Sequence, residues 1–262
     1  MKRVEVHGHR GARAVLPENT IPGFLHAIEA GADAIELDVL VTRDDVPVVC
    51  HDPVLRRALC VGPSRLRTVR SLTARELRQW DCGALPNPRF PRQHPIPGTA
   101  IPTLEEVLSL AERGRFDFTI EAKLFRYRPG WTPPPERFAE LLVQRIRARG
   151  LEPRVILQSF DFRVLEAVRR MTTGIRLAAL DQFGLKGFVA LARRAGVEIV
   201  APARRTVTRR RVSLAHAAGV KVMPWTANTH AEWDRLINAG VDGIITDDPT
   251  GLIEHLKRRG LR

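Results

Sequence analysis

No stretch of the 262-residue chain approaches the roughly 18–20 consecutive apolar residues that a membrane-crossing helix needs. No membrane-crossing helix is therefore expected. The opening Met1-Lys2-Arg3 runs into Val4-Glu5-Val6-His7 without an apolar h-region, so the expectation is no secretory leader and a cytoplasmic location. Cysteine is scarce. Cys50, Cys60 and Cys82 are odd in number and lack metal-ligand spacing, which predicts free thiols in a reducing compartment and argues against structural zinc. There is no Gly-x-Ser-x-Gly elbow, no Walker loop and no Gly-x-Gly-x-x-Gly turn. A serine hydrolase, a P-loop nucleotidase and a dinucleotide-binding protein thus lose their usual signatures.

Lysine is scarce too, with five residues (Lys2, Lys123, Lys186, Lys221 and Lys257), yet the formal charge is +13. Arginine supplies the rest and is spread along the chain; its densest run is Arg209-Arg210-Arg211, at the expected start of a solvated helix face. A dispersed pattern of this kind gives an anion-friendly surface rather than a specific nucleic-acid site. Hydrophobic content of 44% and charged content of 27% are ordinary for a globular protein. The length suits one large α/β domain spanning 1–262. Nothing in the pattern specifies an oligomeric state.

The dominant rhythm is a short β-rich run followed by an amphipathic helix. Strands are predicted at 4–9, 34–42, 116–123, 155–160, 175–180, 198–202, 221–228 and 243–247. Helices are predicted at 20–30, 102–113, 136–149, 161–171, 187–195, 208–218, 230–239 and 250–259, many of them ending at a glycine. Eight such units imply a (β/α)8 TIM barrel. A doubly wound sheet would need a phosphate-binding glycine turn after an early strand, and none is present.

Two segments break the rhythm. Pro47–His51 reads as the return strand of a hairpin with Asp44-Asp45 as a two-residue turn, which sets Val41 against Val48 and Asp38 against His51. The Arg- and Pro-rich stretch at about 53–100, with a short helical pattern at Thr73–Trp80, reads as a small cap inserted after the second strand.

Barrel enzymes keep their chemistry at the C-terminal ends of the strands. Glu36 and Asp38 share a face near the end of the second strand, and Glu121 lies near the end of the third. Three converging carboxylates repel unless a cation neutralises them, and oxygen-only ligands suit Mg²⁺ or Ca²⁺. The plainer reading is that each carboxylate pairs with an arginine. His9 and His51 end strands beside this cluster and form a candidate acid/base pair. Arg10 and Lys123 are candidate phosphate ligands, although Glu121–Lys123 also suits a simple ion pair. Trp225 is a candidate apolar wall for the substrate's alcohol, or else a core residue. Asp247-Asp248-Pro249 reads as a turn into the last helix.

These residues also carry a resemblance. His9-Arg10-Gly11, Pro17-Glu18-Asn19-Thr20, Gly31-Ala32-Asp33, Glu36-Leu37-Asp38-Val39 and His51-Asp52-Pro53 are similar to the glycerophosphodiester phosphodiesterases. So are Ile101-Pro102-Thr103-Leu104-Glu105-Glu106-Val107, Glu121-Ala122-Lys123, Ser159-Phe160, Trp225-Thr226-x-Asn228 and Thr246-Asp247-x-Pro249. The resemblance covers nearly the whole chain in order. It implies a capped barrel that hydrolyses glycerophosphodiesters to an alcohol and glycerol 3-phosphate with a divalent cation, in glycerol and lipid metabolism. It further implies His9 and His51 as general acid/base, Glu36, Asp38 and Glu121 as metal ligands, and Arg10 and Lys123 on the phosphate. The attacking group is water or the substrate's own 2-hydroxyl.

The departure lies in the cap, where Arg56-Arg57-Ala58-Leu59-Cys60 stands in place of a Thr/Asn/Gly-rich turn. Two other readings compete. One is a barrel phospholipase acting on lyso- or sphingolipids, disfavoured because the polar, basic cap offers no apolar platform. The other is a non-catalytic polyanion-binding barrel, whose binding would weaken steeply with salt.

Overall fold

The computed structural model describes residues 3–55, 57–63 and 67–262; Met1, Lys2 and Arg56, which figured in the leader and cap readings, lie outside them. The eight expected barrel strands are β1 (Glu5–Gly8), β2 (Ala34–Val41), β4 (Asp117–Ala122), β5 (Val155–Ser159), β6 (Arg176–Asp181), β7 (Ile199–Pro202), β8 (Lys221–Val222) and β9 (Gly243–Thr246). Their pairing is parallel throughout, in the order β8-β7-β6-β5-β4-β2-β1-β9. Backbone hydrogen bonds from Asp242 N to the Val222 carbonyl and from Ile245 N to the Pro224 carbonyl, each 3.0 Å, bring the two ends of this order together. The ring is a nearly closed TIM barrel.

β8 is much shorter than the expected 221–228. Pro224 lacks an N–H and cannot extend the ladder, although Ala203 and Trp225 still form an isolated parallel bridge.

The strands are buried on both faces, as a parallel barrel demands. Along β2 the alternation divides the labour. Ile35, Leu37, Val39 and Val41 join the main apolar core, whereas Glu36 and Asp38 occupy the opposite face. The surrounding helices are α1 (Ile21–Glu29), α3 (Leu104–Leu108), α4 (Pro135–Ala148), α5 (Phe162–Met171), α6 (Phe188–Ala195), α7 (Arg209–Ala217), α8 (His230–Ala239) and α9 (Pro249–Arg258); α2 (Ala74–Leu77) belongs to the inserted segment. Local chemistry fixes their ends. Thr103 with Glu106 and Thr229 with Glu232 form reciprocal capping boxes, and Gly240 closes α8 in the left-handed conformation at φ 86°.

The hairpin is present, but its register differs from the expected one. β3 (Pro47–Val49) pairs Val39 with Val49, Leu40 with Val48 and Val41 with Pro47. Thr42 N donates to the Val46 carbonyl, so the loop has three residues, and Asp45 within it takes φ 58°. Asp38 therefore lies opposite Cys50, whose N–H it accepts, rather than opposite His51. The inserted segment packs on a second apolar cluster containing Leu40, Val48, Leu55, Leu77, Trp80 and Ile101. The expectation of three free thiols is corrected here: Cys60 and Cys82 form a disulfide within this segment, and Cys50 alone stays reduced. Spacing could not reveal this, because the two residues meet only once the loop has folded back.

Candidate active site

Sheet register assembles the acidic cluster. Asp38 is the parallel neighbour of Glu121, and Glu121 of Gln158, so three adjacent strands deliver polar side chains at one level. Glu36 lies two residues below Asp38 on the same face. Glu36, Asp38 and Glu121 are all buried, with carboxylate oxygens within 4.8 Å of one another. Burial, Asp38 and Glu121 together push the Glu36 carboxyl well above its usual range. Glu121 is raised as well, mainly by burial. Burial acts the same way on Asp38, but Lys123 and Arg10 outweigh it and hold that carboxyl well below the carboxylate range.

The cations are interleaved with these acids. Lys123 Nζ lies 2.9 Å from Asp38 Oδ1 and 2.7 Å from Glu121 Oε1. Arg10 Nε lies 3.0 Å from Asp38 Oδ2, its Nη1 donates to Glu18 Oε1 at 2.7 Å, and its backbone N–H donates to Glu36 Oε2 at 3.0 Å. The turn that aims Arg10 depends on Gly11, at φ 89°, where a Cβ would meet the Gly23 backbone at 2.6 Å. The ion-pair reading of Glu121 and Lys123 is thus realised, and Lys123 bridges to Asp38 as well.

His9 continues β1, its N–H donating to the Thr246 carbonyl at 2.7 Å, and so arrives beside the end of β9. Its Nδ1 contacts Asp247 Oδ1. Asp247 is held in turn by Asn228, whose Nδ2 donates to Oδ2 at 2.7 Å. Burial pushes the His9 imidazole below its ordinary range, and Asp247 offsets this only in part. His51 leaves β3 at the rim, with Nδ1 2.9 Å from Asp52 Oδ1 and a side chain that is 32% exposed. Despite the shifted register, both imidazoles line one cavity of about 330 Å³ together with Arg10, Glu36, Glu121 and Lys123. All seven acid, base and cation candidates therefore converge, with Asp38 joined to the cavity wall through Lys123 and Arg10. Trp225 lines the same cavity; its indole N–H donates to the Ala201 carbonyl at 2.7 Å, and its ring meets Phe160 edge-on. His7 turns away, to Thr119 and Glu5.

Four residues without an assigned role in the sequence reading belong to this assembly. Asp247 was read as part of a turn, yet the N-cap of α9 is Asp248 alone, which accepts from Gly251 N. Asn19 donates Nδ2 to Asp38 Oδ2 at 2.9 Å. Arg13 lines the cavity with Nε 2.6 Å from Glu18 Oε2. Gln158 donates to Glu36 Oε1 at 3.0 Å, and its buried Oε1 has no hydrogen-bond partner. The sequence signal was available for Asp247 and Gln158, since both end barrel strands.

The residues fit a divalent cation. The donor set is oxygen only, the three carboxylates are close enough to share one ion, and Glu36 is poorly accommodated as an anion by its present neighbours.

Comparisons with known proteins point one way. The sequence profile described as the glycerophosphoryl diester phosphodiesterase family matches residues 9–250. A glycerophosphodiester phosphodiesterase of Caldanaerobacter subterraneus is 35% identical over 257 residues, covering 97% of this chain and 98% of the relative. The crystal structure of a putative glycerophosphoryl diester phosphodiesterase from Silicibacter pomeroyi is 31% identical with a TM-score of 0.91, covering 99% of this chain and 95% of that one. An Oleispira antarctica phosphodiesterase solved with the product sn-glycerol-3-phosphate shares the fold at 22% identity and a TM-score of 0.82, with 97% of each chain covered.

Proposed function

The chain belongs to the glycerophosphoryl diester phosphodiesterase family, and we propose that it hydrolyses glycerophosphodiesters to an alcohol and glycerol 3-phosphate. The observation that carries the reading is the convergence of His9 and His51 on a buried acidic triad interleaved with Arg10 and Lys123. A divalent cation bound by Glu36, Asp38 and Glu121 would draw charge from the phosphoryl oxygens.

The chain's own groups do the rest. Arg10 and Lys123 hold the phosphate, and the neighbouring carboxylates raise the pKa of both side chains and so keep them charged. His9 is biased towards its neutral form by burial, and Asp247 fixes its Nδ1, leaving Nε2 to accept the proton of the attacking hydroxyl. His51, at the exposed rim, donates a proton to the departing alcohol, which leaves towards solvent. Trp225 walls the cavity beside the bound diester.

The test is release of glycerol 3-phosphate from glycerophosphocholine by the purified protein. Activity should vanish with EDTA and return with Mg²⁺ or Ca²⁺. Salt-sensitive polyanion binding without hydrolysis, persisting in Glu36→Gln, would replace this reading by the non-catalytic one.

A further inference from the structure

Among the described residues, six buried side-chain atoms lack a hydrogen-bond partner: Arg10 Nε, Arg13 Nε, Glu18 Oε2, Asp38 Oδ1, Gln158 Oε1 and Arg176 Nε. Four of them are satisfied as ion pairs. Arg10 Nε faces Asp38, Arg13 Nε faces Glu18 Oε2, and Asp38 Oδ1 faces Lys123. Arg176 engages Asp117 through its Nη2. Gln158 Oε1 is the one acceptor left with nothing to accept from, on a side chain that is 2% exposed. A buried carbonyl oxygen in this position is costly, and in a native fold it calls for an ordered water or an ion.

The surroundings of Gln158 say which side that partner comes from. Its parallel neighbour on β6 is Ala178, which offers no polar side chain. Two residues earlier on the same face is Ile156, which joins Ala178, Ile199 and Met223 in an apolar cluster separate from the main core. On the other side the neighbour is Glu121, and the amide nitrogen donates to Glu36 Oε1 at 3.0 Å. Oε1 shares a carbon with that nitrogen, so it lies within one amide's width of the contact with Glu36. The polar surroundings of Gln158 are thus the acidic cluster and the catalytic cavity, which it lines together with Glu36 and Glu121.

We propose that Gln158 is the fourth member of the cation site: Nε2 orients Glu36, and Oε1 gives the cation a neutral oxygen. The inference rests on the metal-dependent reading and deepens it. Hard divalent cations take six or more oxygens, amide carbonyls among them, and three carboxylates offering one each fall short. A fourth carboxylate would add repulsion to a cluster in which burial, Asp38 and Glu121 already disfavour the ionised form of Glu36. A carbonyl raises the coordination number and leaves the charge unchanged. The backbone N–H of Arg10 holds the other oxygen of Glu36. Two donors therefore fix this carboxylate from both sides before the ion arrives.

The experiment counts ligands without turnover. Eu³⁺ stands in for Ca²⁺, and its luminescence decay in H₂O against D₂O gives the number of waters on the bound ion. Two variants of the full chain separate the halves of the amide. Gln158→Met keeps the length of the side chain and removes both halves, whereas Gln158→Glu keeps an oxygen and removes the N–H. Gln158→Met should carry one more bound water than the wild type, and Gln158→Glu should carry no more. Ca²⁺ affinity, measured by calorimetry, should weaken by about tenfold or more in Gln158→Met alone. A gain of water in both variants would confine Gln158 to orienting Glu36 and overturn the proposal. So would no gain in either, or Ca²⁺ affinity that Gln158→Met leaves unchanged. A crystal structure of the wild type with Ca²⁺ needs no variant to fold: Oε1 belongs about 2.3–2.6 Å from the ion, and an amide turned away from it would equally overturn the proposal. Wild-type protein that binds neither Eu³⁺ nor Ca²⁺ would strike the cation site itself and the metal-dependent reading with it, whereas binding with the wrong count strikes only Gln158.

Discussion

Along the β1, β2, β4 and β9 side of the mouth the charged side chains are buried and tied to one another, whereas the loops that follow β5 and β6 also present exposed apolar side chains. On the first side a single carboxylate, Asp38, meets Lys123, Arg10 and Asn19. Across the mouth Phe183 and Leu185 stand 68% and 89% exposed. The difference follows from the physics of each task. Charge stabilisation during phosphoryl transfer needs groups fixed before the substrate arrives, in a poorly solvated setting where each interaction is strong. Accommodation of a variable alcohol needs only area and shape, which loops supply without a dense network. Substitutions on the two sides should therefore separate loss of chemistry from loss of selectivity.

The largest separation is expected at the imidazoles. His9→Ala and His51→Ala should each lower kcat on glycerophosphocholine by about a hundred- to ten-thousand-fold. His51 is half out of the core, so its replacement should leave the thermal midpoint nearly unchanged. Steady-state assay beside a melting curve checks both statements, and full activity in either variant would remove that histidine from the mechanism.

A smaller effect is expected at Asp247, which acts through His9. Asp247→Asn keeps the size of the side chain but removes its charge and lets Nδ1 lose its fixed partner. Turnover should fall by about ten- to a hundredfold. The pH profile supplies the decisive sign. Asp247 raises the His9 pKa against the larger lowering by burial. Without it His9 stays neutral to lower pH, so the acid limb of kcat/KM should move further to the acid side. An unmoved limb with reduced turnover would indicate that Asp247 merely supports the fold.

The same contrast explains what was legible in the sequence. Charged residues at the ends of apolar strands announce themselves, because few structures tolerate them there without a task. Glu36, Asp38, Glu121, His9 and His51 could therefore be placed together, and the β-helix rhythm placed the barrel. The register of the hairpin was not legible, since it hangs on Asp45 adopting a left-handed conformation that Asp allows but does not require. The Cys60–Cys82 bridge depends on how an irregular segment folds back, which no period encodes. Asp247 was obscured by Asp248 and Pro249, whose capping chemistry accounted for the tripeptide too easily. Phe183 and Leu185 lie in a loop between β6 and α6, where no alternation marks which side chains face solvent.

The smallest effect sharpens the comparison from the β5–β6 side. Arg163 pairs with Asp161 just as Lys123 pairs with Glu121, but its side chain is 50% exposed while that of Lys123 is 11% exposed. Water screens the Arg163 pair, and freeing a long side chain recovers rotamer entropy. Asp161 also keeps its role as N-cap of α5 after the change, because it accepts from the backbone of residue 163 and not only from the guanidinium. Arg163→Ala should therefore cost under about 1 kcal/mol and leave kcat/KM on glycerophosphocholine within about twofold. Denaturant melts and the standard assay read both. A large loss of activity would mean that charge on the β5–β6 side reaches the bound diester, and the division of labour between the two sides would have to be redrawn.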